Sequence, residues 1–161
     1  MALTLNGSGS VAGLAAGVNG VGKVLQVVMG TYSTQTTTTS TSYSDTGLTA
    51  TITPSSTTSK VLVFVQQAGC VKFSGSSIYS SMSLKLLKSG SDLLLIASEI
   101  AYNNTTNANY IGTQGCAYLD SPGTTSAVTY KTQFCSNQSG NEVRVQQGSA
   151  VSTMILLEVA A

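Results

Sequence analysis

"TGLTATITPSSTTSKVLVFVQ", residues 46–66, decides the fold class because it sets two kinds of strand side by side. In its first half Leu48, Ala50 and Ile52 alternate with Thr49, Thr51 and Thr53, the period-2 pattern of a strand with one dry and one wet face. Pro54 and a run of Ser and Thr then interrupt the chain, as turn residues do. It resumes at Lys60 with Val61, Leu62, Val63, Phe64 and Val65, apolar on both parities. Antiparallel sheets ordinarily show one face to water, so a two-sided strand asks for a second cover.

The same signals run outward through the chain. Short apolar or alternating stretches, broken by Gly, Ser, Asn and Pro clusters, predict strands over residues 23–29, 48–53, 60–68, 81–87, 93–100, 110–119, 128–135, 142–146 and 153–159. Residues 83–101 are ambiguous by periodicity, and Ser89-Gly90-Ser91 favours two strands about a turn over one helix. The Thr-rich residues 34–41 have β propensity with little to bury and predict an exposed edge or loop. About nine strands joined by such turns predict an all-β protein, an antiparallel β-sandwich of jelly-roll-like topology. Residues 5–22, "LNGSGSVAGLAAGVNGVG", have no regular period, and their glycine density disfavours regular elements. The expected organisation is an extended Gly-rich N-terminal arm, residues 1–22, and a sandwich domain, residues 23–161.

Four stretches share the two-sided character: residues 24–29, 61–65, 93–96 and 154–157. With no helices to cover them, a second copy of the chain is the expected cover, and Val61, Val63, Val65, Leu93 and Leu95 are the candidate interface residues. A strand buried between the two sheets, or cover by the arm, is the alternative.

Composition narrows the function classes. Of 161 residues 8% are charged, and the formal balance is +1, which gives nucleic acid or an anionic membrane no electrostatic hold. The first residues form no secretory signal, and no run of apolar residues is long enough to span a bilayer. A soluble protein made in the cytoplasm is expected. Cys70, Cys116 and Cys135 lie far apart inside or beside strand-like runs. Free thiols acting as small buried hydrophobes fit that spacing better than a redox or zinc role.

The chain has no histidine, which removes Ser-His-Asp and Cys-His catalysis and imidazole metal sites. It has no Gly-x-x-x-x-Gly-Lys-Ser/Thr phosphate loop. The six acids, Asp45, Asp92, Glu99, Asp120, Glu142 and Glu158, leave a glycosidase pair open, but there is no Trp to form a sugar platform. No catalytic residue, metal site or cofactor is assigned. One polar segment has the composition of a recognition loop: residues 101–112, "AYNNTTNANYIG". There Tyr102, Asn103, Asn104, Asn107 and Tyr110 combine rigid amphipathic faces with adaptable hydrogen bonding. The alternative is a wide hairpin loop whose Asn residues satisfy turn conformations.

"GKVLQVV" (22–28), residues 46–65, "YLDSPGTTSAVTYK" (118–131), "MILLEVA" (154–160) and the arm "LNGSGSVAGLAAG" (5–17) together resemble small β-sandwich tail-fibre and virion structural proteins of tailed bacteriophages. The resemblance implies a non-enzymatic homotrimer in the virion tail. The arm would be held by a tail or baseplate protein, with Leu3, Leu5, Val11, Leu14 and Val18 as attachment candidates. The distal surface would face the host, where a cell-surface glycan is the expected contact. A capsid decoration (cement) protein is the alternative and a glycan depolymerase a remote one. The chain departs from long fibres in passing from arm to sandwich with no shaft between.

Overall fold

The computed structural model describes residues 4–5, 11–12, 23–73, 80–100 and 110–161. Among them the regular structure is strand throughout, apart from one short 3-10 turn, Gln147–Ser149. The strands are β1 (Thr4–Leu5), β2 (Val11–Ala12), β3 (Val24–Tyr32), β4 (Thr36–Thr38), β5 (Ser44–Ile52) and β6 (Lys60–Lys72). They continue with β7 (Met82–Lys88), β8 (Ser91–Ile100), β9 (Tyr110–Asp120), β10 (Val128–Ser136), β11 (Val143–Val145) and β12 (Ser152–Val159).

Two antiparallel sheets face one another. One has the order β5-β10-β7-β8, and the other β3-β12-β6, with β9 on the far side of β6. Short β11 and β4 continue the β12 side of β6 at its far end. Numbering the eight long strands in chain order from β3, the sheets read 1-8-3-6 and 2-7-4-5. This is the jelly-roll connection, two Greek keys rolled together. The sandwich expected from the strand and turn pattern is therefore the observed fold, and the Thr-rich stretch supplies the edge strand β4.

The core lies between the sheets, built from one parity of each strand. Leu48, Ala50 and Ile52 of β5 meet Val61, Val63 and Val65 of β6, Tyr130 of β10, and Met154 and Leu156 of β12. A second cluster, including Met82, Leu84, Phe134, Val143 and Val145, fills the other end. The expectation that Val61, Val63 and Val65 form an interface between copies is thereby corrected: their side chains are 0%, 0% and 5% exposed. They point into the sandwich because β6 is a central strand whose inner parity must face the opposite sheet.

A polar seam crosses the interior. Thr46 Oγ1 and Thr132 Oγ1 lie 2.6 Å apart, and Thr132 Oγ1 donates to Gln67 Oε1 at 2.9 Å. Gln67 Nε2 then donates to Ser152 Oγ at 3.0 Å, as does the Ala68 N–H at 3.0 Å. Just beyond, Gly69 has φ +60°, and the β6–β9 register slips between Gln67 and Cys70. That is a bulge of the kind glycine permits without steric cost, and through it β6 runs on to Lys72 instead of ending at Ala68.

Candidate functional site

The outward parity of the β3-β12-β6-β9 sheet builds the most distinctive surface of the described residues. Backbone register fixes its layout: Ile155 of β12 pairs with Met29 and with Phe64, and Phe64 with Ala117. One step along, Leu157 pairs with Val27 and with Leu62, and Leu62 with Leu119. Two adjacent rows of four side chains, Met29–Ile155–Phe64–Ala117 and Val27–Leu157–Leu62–Leu119, thus cross all four strands without a charge or a hydrogen-bonding side chain. Val27 is 60%, Met29 65%, Phe64 41% and Leu119 56% exposed.

A polar row borders this band on one side, and a row that turns polar only on β6 and β9 borders it on the other. On one side lie Thr31, Thr153, Gln66 and Gly115. On the other side the row is mixed: Val24 and Leu25 of β3 are 47% and 41% exposed, Val159 of β12 pairs with Val24 and with Lys60, and Lys60 donates from Nζ to Ser121 Oγ at 2.7 Å. An apolar centre with a polar rim is the anatomy of a protein–protein interface. Beside the band, a shallow hollow of about 240 Å³ is lined by Phe64, Val65, Gln66, Thr153 and Ile155.

The outer face of the other sheet is built oppositely. Lys131 and Asp45 form an ion pair at 2.8 Å, and Gln133 Nε2 donates to Asp45 Oδ1 at 2.7 Å. These bonds, the Lys131 one foremost, hold the Asp45 carboxyl below its ordinary pKa. Lys85 pairs with Asp92 at 2.8 Å and lies 4.1 Å from the centroid of the Tyr43 ring. Thr51 and Thr129 hydroxyls meet at 2.8 Å.

The remaining acids are distributed, not paired with one another. Asp120 accepts from Lys88 Nζ at 2.9 Å and from the Tyr130 hydroxyl at 2.7 Å. Burial first, and this carboxylate second, push the Tyr130 phenol up. Glu142 pairs with Arg144, which also covers the Phe73 ring at 3.7 Å. Glu99 sits exposed on β8 with φ 57°. Glu158 points inward and is 0% exposed. Its Oε1 accepts from Ser55 N at 2.7 Å and Ser55 Oγ at 2.6 Å, and its Oε2 from Gln26 Nε2 at 2.6 Å. These hydrogen bonds, the Ser55 hydroxyl's first, lower its pKa to about 2 against the effect of burial.

No family model matches this sequence, and no curated protein does.

Of the residues singled out from sequence, Leu93 is half-buried against the core and Leu95 is 56% exposed on the edge strand β8. Leu5 and Val11 pair across the two-stranded β1–β2 ribbon, while Leu3, Leu14 and Val18 lie outside the described residues. Tyr102, Asn103, Asn104 and Asn107 also lie outside them, and Tyr110 opens β9 opposite Lys72. The three cysteines are free, with Cys70 and Cys135 buried and Cys116 half-buried. Burial pushes the Cys70 thiol up to about 12 and raises the other two, so all three stay protonated at neutral pH. Leu62 and Phe64, the outward members of β6, are the interface candidates that sequence reasoning passed over. Their signal was the same apolar run read on the other parity. No helix among the described residues is long and apolar enough to cross a membrane.

Proposed function

We propose that the chain is a non-enzymatic structural protein of a tailed-phage virion, a homotrimeric tail fibre. In this reading the arm, residues 1–22, anchors to a tail or baseplate protein. The jelly roll projects from it, and a distal loop surface reaches toward a glycan on the host cell.

The apolar outer face of the β3-β12-β6-β9 sheet carries this reading. Eight apolar side chains in register, extended at the β3 edge by Val24 and Leu25, make a surface that gains stability only when covered. At roughly 25 cal/mol per Å² of apolar area, its cover contributes several kcal/mol, and exposed patches of this kind mark interaction sites. An assembled virion component has neighbours to supply that cover. The resemblance in the strand segments and the Gly-rich arm supplies the virion context.

The test is immunogold labelling of particles whose genome encodes the chain, using antibodies raised against the full-length protein. Gold at the tail is the expected result. Gold over the capsid would replace the tail assignment with capsid decoration, and unlabelled particles would end the virion reading.

A further inference from the structure

We infer that copies of the chain meet heterologously, the β3 edge of one seating Met29 in the β6–β12 hollow of the next, so that three copies close a ring. This rests on the trimeric fibre reading and names the contact that would build it.

The outer face carries a knob and a hole in different places. The knob is Met29, the most exposed large apolar side chain of the described residues at 65%, on edge strand β3. The hole is the hollow of about 240 Å³ between β6 and β12, where Phe64 and Ile155 supply apolar walls and Gln66 and Thr153 a polar lip. An unbranched, adaptable methionine is suited to filling an irregular gap. No charged residue stands in either apolar row, so a second copy laid on these two rows desolvates no ion within them.

Symmetry then decides how the copies meet. A two-fold axis along the strands and centred on the face lays β3 over β9, which puts Met29 on Ala117 and turns the two hollows toward each other unfilled. A two-fold across the strands lays β3 on β3, knob against knob. Neither gives the close packing a protein interface shares with a protein interior. Shifting the two-fold until Met29 reaches the hollow leaves Leu119, already 56% exposed, without cover. A head-to-tail contact avoids each defect. The β3–β12 half of one face covers the β6–β9 half of the next, and every copy gives its knob to one neighbour and its hollow to the other; such contacts close into a ring when each copy is turned by a third of a circle from the last, the three-fold that the fibre reading supplies.

The test is the full-length Met29→Cys/Gln66→Cys variant, oxidised in air with copper phenanthroline. Two thiols then lose two protons and two electrons to oxygen and form one S–S bond. Within one copy the two positions stand on strands two apart and in different rows, at least about 10 Å from strand spacing alone. That is beyond the Cα separation of about 7 Å that a disulfide allows, so a bond between the two introduced thiols joins copies, and the wild type with its free Cys70, Cys116 and Cys135, oxidised alongside, shows what the native thiols form by themselves. The expected product on a non-reducing denaturing gel is a covalent trimer that reductant returns to monomer. A covalent dimer as the end point would overturn the ring in favour of a two-fold. Absence of bonds in a protein that light scattering shows to be trimeric would overturn this contact and leave the fibre reading standing, whereas a monomer by light scattering would sink both. Met29→Glu is the second variant, should the double one misfold: loss of the trimer with an unchanged circular dichroism spectrum is expected, and a persisting trimer would overturn the contact.

Discussion

The two outer faces of the sandwich are made by strands of the same period and finished in opposite ways. On the β5-β10-β7-β8 face, threonines and the Asp45–Lys131 and Lys85–Asp92 pairs meet water. On the β3-β12-β6-β9 face, Val27, Met29, Phe64 and Leu119 stand 41–65% exposed among further apolar side chains. Both sheets bury their inner parity alike, so the interior does not require the difference. The lesson lies in the outward residues: an apolar inner parity folds the strand, whereas an apolar outer parity serves something beyond the single chain.

The sharpest way to probe that contrast is to truncate neighbours on one strand. Leu156 is 0% exposed, and Leu157 is its outward neighbour. Leu156→Ala is expected to cost about 2–5 kcal/mol in chemical denaturation, through lost burial and a residual cavity. Leu157→Ala is expected to lower the stability of the isolated chain by less than half of that and to act on association instead. Equal losses in a monomeric protein would place both side chains in the core and erase the distinction between faces.

The polar seam comes next. Thr132→Val leaves Gln67 Oε1 without the hydroxyl that donates to it and removes the close partner of Thr46. A loss of about 1–3 kcal/mol is expected, the cost of stranding buried polar groups, with no change in oligomeric mass. A neutral effect would mean that the interior admits water at this point.

Glu158 gives the fold an acid limit. Its folded pKa, about 2, lies below its ordinary value of 4.5, so its contribution is whole above about pH 4.5 and is lost as pH falls toward 2. Stability followed by chemical denaturation should decline through that window in the wild type and decline less in Glu158→Gln. Parallel declines would assign the acid loss to other carboxylates.

The smallest effect belongs to the wet face. Lys131 is 30% and Asp45 53% exposed, and such a pair contributes roughly 0–1 kcal/mol. Lys131→Ala should therefore move the melting midpoint little and the mass not at all. A change in mass would make this face, too, a contact surface.

Strand positions were legible in sequence because alternation and turn clusters are local signals. They found every long strand, and the eight-strand order that follows is the jelly roll expected from their number and spacing. What escaped detection was long-range. The run Val61–Val65 announces two apolar parities, but which one faces inward depends on the partners of β6, namely β12 and β9. The interface candidates therefore fell on the valines instead of on the outward pair Leu62 and Phe64. Gly69 read as a stop because glycine weakens strands, yet at φ +60° it forms a bulge through which β6 continues. Thr46, Gln67, Thr132 and Ser152 assemble their seam from four strands, and no local pattern marks residues that meet only after folding. Glu158, one of the six acids and set in the apolar run "MILLEVA", has no partner in its own stretch of sequence, and folding brings Ser55 and Gln26 to it.

The most direct test of the central claim, that the apolar outer face is where copies of this chain meet, is the solution mass of the full-length protein beside its Leu62→Ser/Phe64→Ser variant. Light scattering is expected to give about 49 kDa for the wild type, three copies of a 16.4 kDa chain. The variant should run as a monomer and keep the wild-type circular dichroism spectrum. A variant that stays trimeric, or a wild type that is monomeric across the concentration range, would contradict it.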